Sequence, residues 1–143
     1  MRKTALLIVT AATSVTCLPA LGGDFDGSKP LLCASTSLFE CDADGECLRV
    51  SPNDVRAPRF LKIDVANNKI VQPNPAGDGR STPIERSEQL DGKLILQGAE
   101  EAIEGVRDGI GWTLSINQET GNMTLTASGD DVGFVIFGAC TPL

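Results

Sequence analysis

Two segments near the end of the chain alternate strictly between apolar and polar residues, and this alternation constrains the fold more than any other feature. Residues 112–117 read WTLSIN and residues 122–127 read NMTLTA, so an apolar side chain occupies every second position. Because successive side chains of a β-strand point to opposite faces, this period predicts two strands, each with one buried and one solvated face. The intervening Gln118–Gly121 predicts a hairpin turn, with Gly121 taking a positive φ at a corner away from the core.

Turn residues divide the rest of the chain into short segments of the same kind. Further strands are expected over residues 31–41, 59–65, 69–72, 93–98 and 132–140, with a polar edge strand within 81–90. The segment 132–140 is apolar on both faces, which favours a strand covered on both sides. Residues 99–104 are the only helix-like stretch, with their acidic side chains on a solvated face.

About eight or nine short strands at regular spacing predict an all-β fold. A small antiparallel up-and-down β-barrel of about eight strands is favoured, and a β-sandwich is the alternative. Closure into a barrel removes the exposed strand edges that would otherwise be free to pair with other chains.

The first 22 residues have the features of a secretory signal peptide. Met1–Lys3 is basic, Ala5–Leu18 is apolar and uncharged, and the small residues Ala20 and Gly22 suit cleavage after Gly22. The expected mature protein, residues 23–143, is a single β-barrel domain located in the periplasm or secreted.

Two other interpretations of the N-terminus are weaker. The apolar run is shorter than the ~20 residues of a membrane span, so no span is expected after processing. A lipoprotein signal at Cys17 would place a small residue before the cysteine, and Thr16 stands there instead.

The expected mature chain is strongly acidic. Cleavage after Gly22 removes 2 of the 12 basic residues and none of the 19 acidic ones, which leaves a net charge of −9. Such a charge repels nucleic acid and anionic lipid, so neither is an expected partner. It favours a basic protein of the cell envelope as a partner, and it does not specify an oligomeric state.

Four cysteines remain behind the signal peptide: Cys33, Cys41, Cys47 and Cys140. An even number of cysteines in an exported chain predicts two disulfides, which three pairings could satisfy. We favour Cys41–Cys47, which closes a five-residue turn, and Cys33–Cys140, which joins the first strand to the last. The second bond would place these two strands side by side, as closure of a barrel requires.

Metal and cofactor chemistry find little support in the sequence. The chain has no histidine, and the Cys41–Cys47 spacing is not that of a zinc site. Asp42–Gly45 resembles the start of a calcium-binding loop, but its glycine comes too early for that motif. No metal site and no cofactor are expected.

Catalytic residues are also not expected. With no histidine, no tyrosine and oxidised cysteines, the chain offers no nucleophile–base pair of the usual kinds. The 19 acidic residues could in principle act as acid and base, but no pattern marks any of them as buried together, and a solvated role is expected for each. Trp112, at the head of an alternating strand, is expected in the core rather than at a ligand.

Several motifs together resemble a known family. They are the spacing Cys33-x7-Cys41-x5-Cys47, the segment PRFLKID at 58–64 and the segment GFVIFGACT at 133–141. The chain resembles, over nearly all of its mature length, a family of small exported proteobacterial proteins of unknown function. That resemblance implies no catalytic residues. In architecture alone the chain is similar to small periplasmic β-barrel lysozyme inhibitors, a likeness of fold that does not carry function.

These observations favour two candidate functions. The first is a non-catalytic binding or inhibitor module of the cell envelope, indicated by the export signal, the disulfides and the acidic surface. The second is a carrier of a small apolar ligand inside the barrel. The carrier ranks lower because the aliphatic side chains expected inside are predicted to fill an eight-stranded barrel, namely Leu94, Leu96, Leu114, Ile116 and Leu125.

Overall fold

The computed structural model describes residues 24–73, 79–101 and 109–143, which form an all-β structure. The strands in these ranges are β1 (Leu31–Asp42), β2 (Cys47–Arg49), β3 (Phe60–Asp64), β4 (Lys69–Val71), β5 (Ser81–Pro83), β6 (Arg86–Leu90), β7 (Lys93–Glu101), β8 (Gly109–Asn117), β9 (Asn122–Ser128) and β10 (Val132–Pro142). The predicted signal peptide lies outside the described residues. The described residues include no helix that is long and apolar enough to cross a membrane.

All the strands belong to one antiparallel sheet that curls around a common interior. Its order is β5-β4-β3-β1-β10-β9-β8-β7-β6, and the short β2 pairs with the far end of β1. Leaving β2 aside, consecutive strands pair with each other except β5 and β6, and β1 also pairs with β10. The predicted all-β, up-and-down, barrel-like architecture is therefore confirmed.

The two edges of the curled sheet, β5 and β6, are consecutive in the chain and are separated only by Ile84 and Glu85. The N–H of Ile84 donates to the carbonyl oxygen of Asn68 at 2.8 Å, next to β4. The N–H of Glu85 donates to the carbonyl oxygen of Gln97 at 2.9 Å, on β7. One segment, residues 81–90, thus connects both edges of the sheet. The edge position that Pro83 predicts for this segment is confirmed.

Both predicted disulfides are present. Cys33 and Cys140 are directly opposite each other in the β1–β10 ladder and are bonded, as are Cys41 and Cys47 across β1 and β2. The N–H of Leu143 also donates to the carbonyl oxygen of Pro30 at 2.9 Å, so the pairing of first and last strands extends to the ends of the ladder.

One end of the interior is filled with aliphatic side chains. In the strands that line the interior, alternate residues point inward, as the alternation predicts; β2 and β6 are exposed along their whole length. Four of the expected core residues, Leu94, Leu96, Leu114 and Ile116, are completely or almost completely buried. They belong to one core cluster with side chains from other strands, which include Leu31, Ile63 and Met123. We call this region the filled end.

The segment before β1 covers the filled end. Phe25 packs against the core, and the carbonyl oxygen of Asp26 accepts a hydrogen bond from the Gln89 side chain at 3.0 Å. Gly121 has the predicted positive φ, 72°, but it is buried, because the ring of Phe25 lies against it. The expectation that this corner lies away from the core is therefore wrong. The segment that covers it is distant in sequence and has no periodicity of its own.

Two other expectations need correction. Residues 99–101 continue β7 rather than starting a helix, because Ala99 and Glu100 pair with Gly111 and Ile110 of β8. Residues 102–104, the rest of the expected helix, lie outside the described residues. β10 is not covered on both sides: Ile136 is buried inside, but Phe137 on the outer face is 43% exposed. On that outer face the ring of Phe39 packs edge-on against Phe137.

Candidate ligand cavity

The other end of the interior is hollow. A cavity of about 350 Å³ lies between the strands and the loop at residues 50–59. Its walls are mostly apolar, and its apolar side chains come from five strands and the loop: Val55, Ala57, Pro58, Leu61, Ile70, Ile110, Trp112, Leu125, Ala127, Phe134 and Ile136. We call this region the hollow end. Leu125, the fifth of the expected fillers, is only partly buried: it packs against the core and also lines this cavity.

Small side chains at inward positions account for part of the empty space. At the filled end β7 contributes Leu94 and Leu96, but two residues later its inward position is Gly98. On β9 the inward series from Met123 ends at Ala127. Gly98 also makes room for Trp112, since a Cβ at residue 98 would lie 2.5 Å from the indole ring. The interior thus changes from large to small side chains along the same strands.

Two of the residues around the cavity are buried and polar. Thr82 on β5 and Trp112 on β8 are each only 8% exposed. Neither the hydroxyl of Thr82 nor the Nε1–H of Trp112 has a hydrogen-bond partner among the described residues. A buried polar group without a partner costs roughly 1–3 kcal/mol, so such groups are uncommon in folded proteins. Their position beside a cavity distinguishes this region from an ordinary core.

Charged residues lie where the cavity meets solvent. Arg56 and Arg80 are exposed and line it, and Glu100, at an inward position of β7, is half-buried. Within the described residues, no carboxylate oxygen lies within 4 Å of a guanidinium nitrogen of Arg56 or Arg80. The described charged residues of the lining are thus two guanidiniums and one carboxylate, a positive balance in a chain whose overall charge is negative.

The loop at residues 50–59 forms one wall of the cavity. Its path is fixed by backbone hydrogen bonds: the N–H of Val50 donates to Leu38 at 3.0 Å, and that of Ala57 donates to Pro52 at 2.8 Å. Arg56 has a positive φ of 54°, a conformation that costs energy for a residue with a Cβ. The structure holds Arg56 in this conformation at the opening of the cavity.

Residues that the sequence singled out for metal binding do not form a site. The side chain of Asp42 accepts hydrogen bonds from the N–H groups of Asp44 and Glu46, as in an ordinary acidic turn. No cluster of three or more potential metal ligands occurs within residues 24–73, 79–101 and 109–143. The four cysteines are all in disulfides, two of them at the filled end and two at the β1–β2 hairpin.

The sequence indicated Trp112 only as a core residue and gave no reason to single out Thr82. Trp112 is indeed buried, but it lines the cavity as well as the core. Thr82 stands between Ser81 and Pro83 in a polar segment, where nothing distinguishes an inward threonine from an outward one. Its burial follows from the joining of the sheet edges, which depends on the whole topology.

Comparison with known proteins adds no relative to this description. No protein-family model, no curated protein and no solved structure matches the chain.

Proposed function

We propose that this chain is an exported, non-catalytic binding protein that carries a small apolar molecule in the hollow end of its sheet. The observation that supports the proposal is an apolar cavity of about 350 Å³ in a domain whose other end is closely packed. Sites for small molecules are typically mostly apolar clefts of roughly 300–1,000 Å³ with a few polar groups. The two disulfides are consistent with a protein outside the cytoplasm.

The chemistry of the lining supports binding rather than catalysis. Its titratable groups are two guanidiniums, which stay protonated, and the carboxylate of Glu100. An acid–base mechanism requires a donor and an acceptor of suitable pKa beside the reacting bond, and one half-buried carboxylate does not provide such a pair.

A fluorescent apolar probe tests the proposal. N-phenyl-1-naphthylamine, which is neutral and brightens in apolar surroundings, is expected to bind the protein with a stoichiometry of one. Ala127→Leu places three more carbon atoms in the cavity, so less of the probe can be buried there. Burial of one methylene group is worth about 0.8 kcal/mol, and that part of the binding free energy is lost for each group of the probe that is displaced. We therefore expect the variant to bind the probe on the order of tenfold more weakly, or worse.

The matched control is Ala99→Leu, at an exposed position of β7 outside the cavity lining. It adds the same atoms and should leave probe affinity unchanged. Absence of saturable probe binding to the parent protein would contradict the proposal, and so would equal weakening by both variants.

A second candidate, the module that binds a basic envelope protein, has one structural feature in its favour. Phe39 and Phe137 pack edge to face on the outside of β1 and β10, with ring centroids 6.3 Å apart. Phe137 is exposed and Phe39 is half-buried, and exposed aromatic side chains are enriched at protein interfaces. Retention of a basic envelope protein by the parent chain, and its loss in Phe137→Ser, would favour this function over the carrier.

A further inference from the structure

We propose that the molecule carried in the cavity has a neutral oxygen acceptor, such as a carbonyl group, in its buried part. This inference rests on the proposed function and specifies the chemical class of the ligand. It follows from the two unpartnered polar groups beside the cavity and from the kind of hydrogen bond that each can make.

The indole of Trp112 restricts the ligand most strongly. Its Nε1–H can only donate a hydrogen bond, so only an acceptor can satisfy it. The hydroxyl of Thr82 can donate as well as accept, so a hydrogen-bond acceptor on the ligand can satisfy it too. A pure hydrocarbon would leave both groups unpartnered, whereas a ligand oxygen would recover hydrogen bonds that the described protein residues do not supply.

The position of these groups explains why they need a ligand rather than protein partners. Thr82 lies opposite Ile70 on β4, and Trp112 lies opposite Gly98 on β7 and Ala127 on β9. None of these three residues has a side-chain hydrogen-bonding atom. The residues paired with the two donors in the sheet therefore cannot satisfy them through their side chains.

The acceptor is expected to be neutral. A carboxylate beside Thr82 and Trp112 would lose its hydration without meeting a buried cation, which is far more costly than burying a carbonyl. The cations that line the cavity, Arg56 and Arg80, are exposed at its opening. An anionic ligand would therefore hold its charge at the opening and leave the two buried donors unsatisfied.

A pair of ligands with the same shape separates hydrogen bonding from apolar contact. 2-Nonanone and 2-methyl-1-nonene differ only by C=O against C=CH₂, and each can be titrated by displacement of N-phenyl-1-naphthylamine. In an all-apolar cavity the alkene binds more tightly, because it is the more hydrophobic molecule. We expect the ketone to bind at least as tightly as the alkene to the parent protein.

Two substitutions test the donors directly. Thr82→Val removes the hydroxyl with little change of shape, and Trp112→Phe removes the N–H. Each is expected to weaken ketone binding by up to about tenfold, the value of one hydrogen bond, with little effect on the alkene. Thr82→Ser, which keeps the hydroxyl, should restore the ketone affinity. Thr124→Val, on the outer face of β9, is the matched control and should change neither affinity.

A spectroscopic measurement avoids substitution altogether. The chain has one tryptophan, so its indole N–H gives a single proton resonance. The ketone should move this resonance downfield as the N–H gains an acceptor, and the alkene should not.

The outcomes separate the two proposals. Tighter binding of the alkene, unchanged by Thr82→Val and with no downfield shift, overturns the inference about the ligand but leaves the carrier function in place. Saturable binding of the probe without displacement by either compound likewise overturns the inference about the ligand and leaves the carrier function in place. If neither the probe nor the two compounds bind, the carrier function fails as well.

Discussion

Gly121 and Gly92 have almost the same backbone conformation but very different surroundings. Their φ angles are 72° and 71°, and each stands in a hairpin turn. A Cβ at Gly92 would meet no atom within 4 Å, whereas one at Gly121 would lie 2.6 Å from the Phe25 ring and 2.9 Å from the Cys140 carbonyl oxygen. Comparing substitutions at the two positions therefore separates the energetic cost of a side chain at positive φ from the cost of a steric clash.

Alanine substitutions at these two positions should differ clearly. Gly92→Ala should lower the free energy of unfolding by about 1 kcal/mol, the cost of an alanine at positive φ. Gly121→Ala should lower it by about 2–4 kcal/mol, because overpacking against Phe25 and a fixed carbonyl adds to the same conformational cost. Urea unfolding measures both.

Glu119→Ala, an exposed change in the same turn as Gly121, should stay within about 0.5 kcal/mol of the parent protein. Equal losses for Gly121→Ala and Gly92→Ala would show that the N-terminal segment does not pack on the turn.

The carboxylate of Asp64 illustrates how a turn can respond to pH. The Asn67 side chain donates to Asp64 at 2.8 Å, and this hydrogen bond lowers the pKa of Asp64 below its usual 3.8. Because the folded-state pKa is the lower one, this stabilisation is present above pH 3.8 and is lost as the pH falls through the folded-state value.

Asn67→Ala removes the side-chain donor, so the pKa of Asp64 should rise toward 3.8. The variant should be less stable than the parent protein at pH 6, and the part of this difference due to Asp64 should shrink as the pH falls below 3.8 and through the folded-state pKa of the parent protein. Carbon NMR titration of the Asp64 carboxyl group measures the pKa directly. An unchanged pKa would contradict the role assigned to Asn67.

At the scale of strands, the two disulfides constrain very different lengths of chain. Cys33–Cys140 spans a sequence separation of 107 residues and joins the first strand to the last, whereas Cys41–Cys47 spans 6 within one hairpin. On the chain-entropy model, the longer loop stabilises the fold by about 5 kcal/mol and the shorter one by about 2 kcal/mol.

We therefore expect the double variant Cys33→Ala/Cys140→Ala to lose about 5 kcal/mol of unfolding free energy, plus some packing because Cys33 is fully buried. Cys41→Ala/Cys47→Ala, the matched pair at the exposed hairpin, should lose about 2 kcal/mol. Denaturant unfolding under non-reducing conditions gives both values. A larger loss for the hairpin pair would contradict the assigned contributions.

Strand positions could be predicted where apolar and polar residues alternate strictly. They were predicted less well where the amino-acid composition favours a helix. The segments around Trp112 and Met123 became β8 and β9 at almost the expected residues, because one buried face imposes period two. Ala99–Glu101 has helical composition, yet pairing with β8 extends β7 through it. Local preference is a weak force there beside a ladder of hydrogen bonds.

At the scale of the molecule, the filled and hollow ends should differ in how much each leucine contributes to stability. Leu114→Ala, in the filled end, should cost about 3–5 kcal/mol, because the residue is completely buried and its neighbours cannot close the space. Leu125→Ala, beside the existing cavity, should cost only about 1–2 kcal/mol, since fewer contacts are lost. Equal losses would indicate that the two ends are packed alike.

The cavity itself could not be predicted from the sequence. Counting the inward aliphatic residues suggested a solid interior, and for four of the five named residues this holds. The count did not show where the smaller inward residues lie. Gly98, Thr82 and Ala127 come from three strands and lie at the same end of the interior only after the sheet has curled. Composition records how many large side chains are available, but not at which height of the barrel they lie.

The pairing of β1 with β10 also sets an order of events in time. The β1–β2 hairpin can form from neighbouring residues, but the β1–β10 ladder requires that nearly the whole chain be in place. Closing short loops takes far less time than assembling distant strands, and topologies rich in distant contacts fold slowly. During oxidative refolding, acid-quenched samples should therefore contain Cys41–Cys47 before Cys33–Cys140. If the long-range bond came first, native-like pairing of the end strands would have to exist already in the unfolded chain.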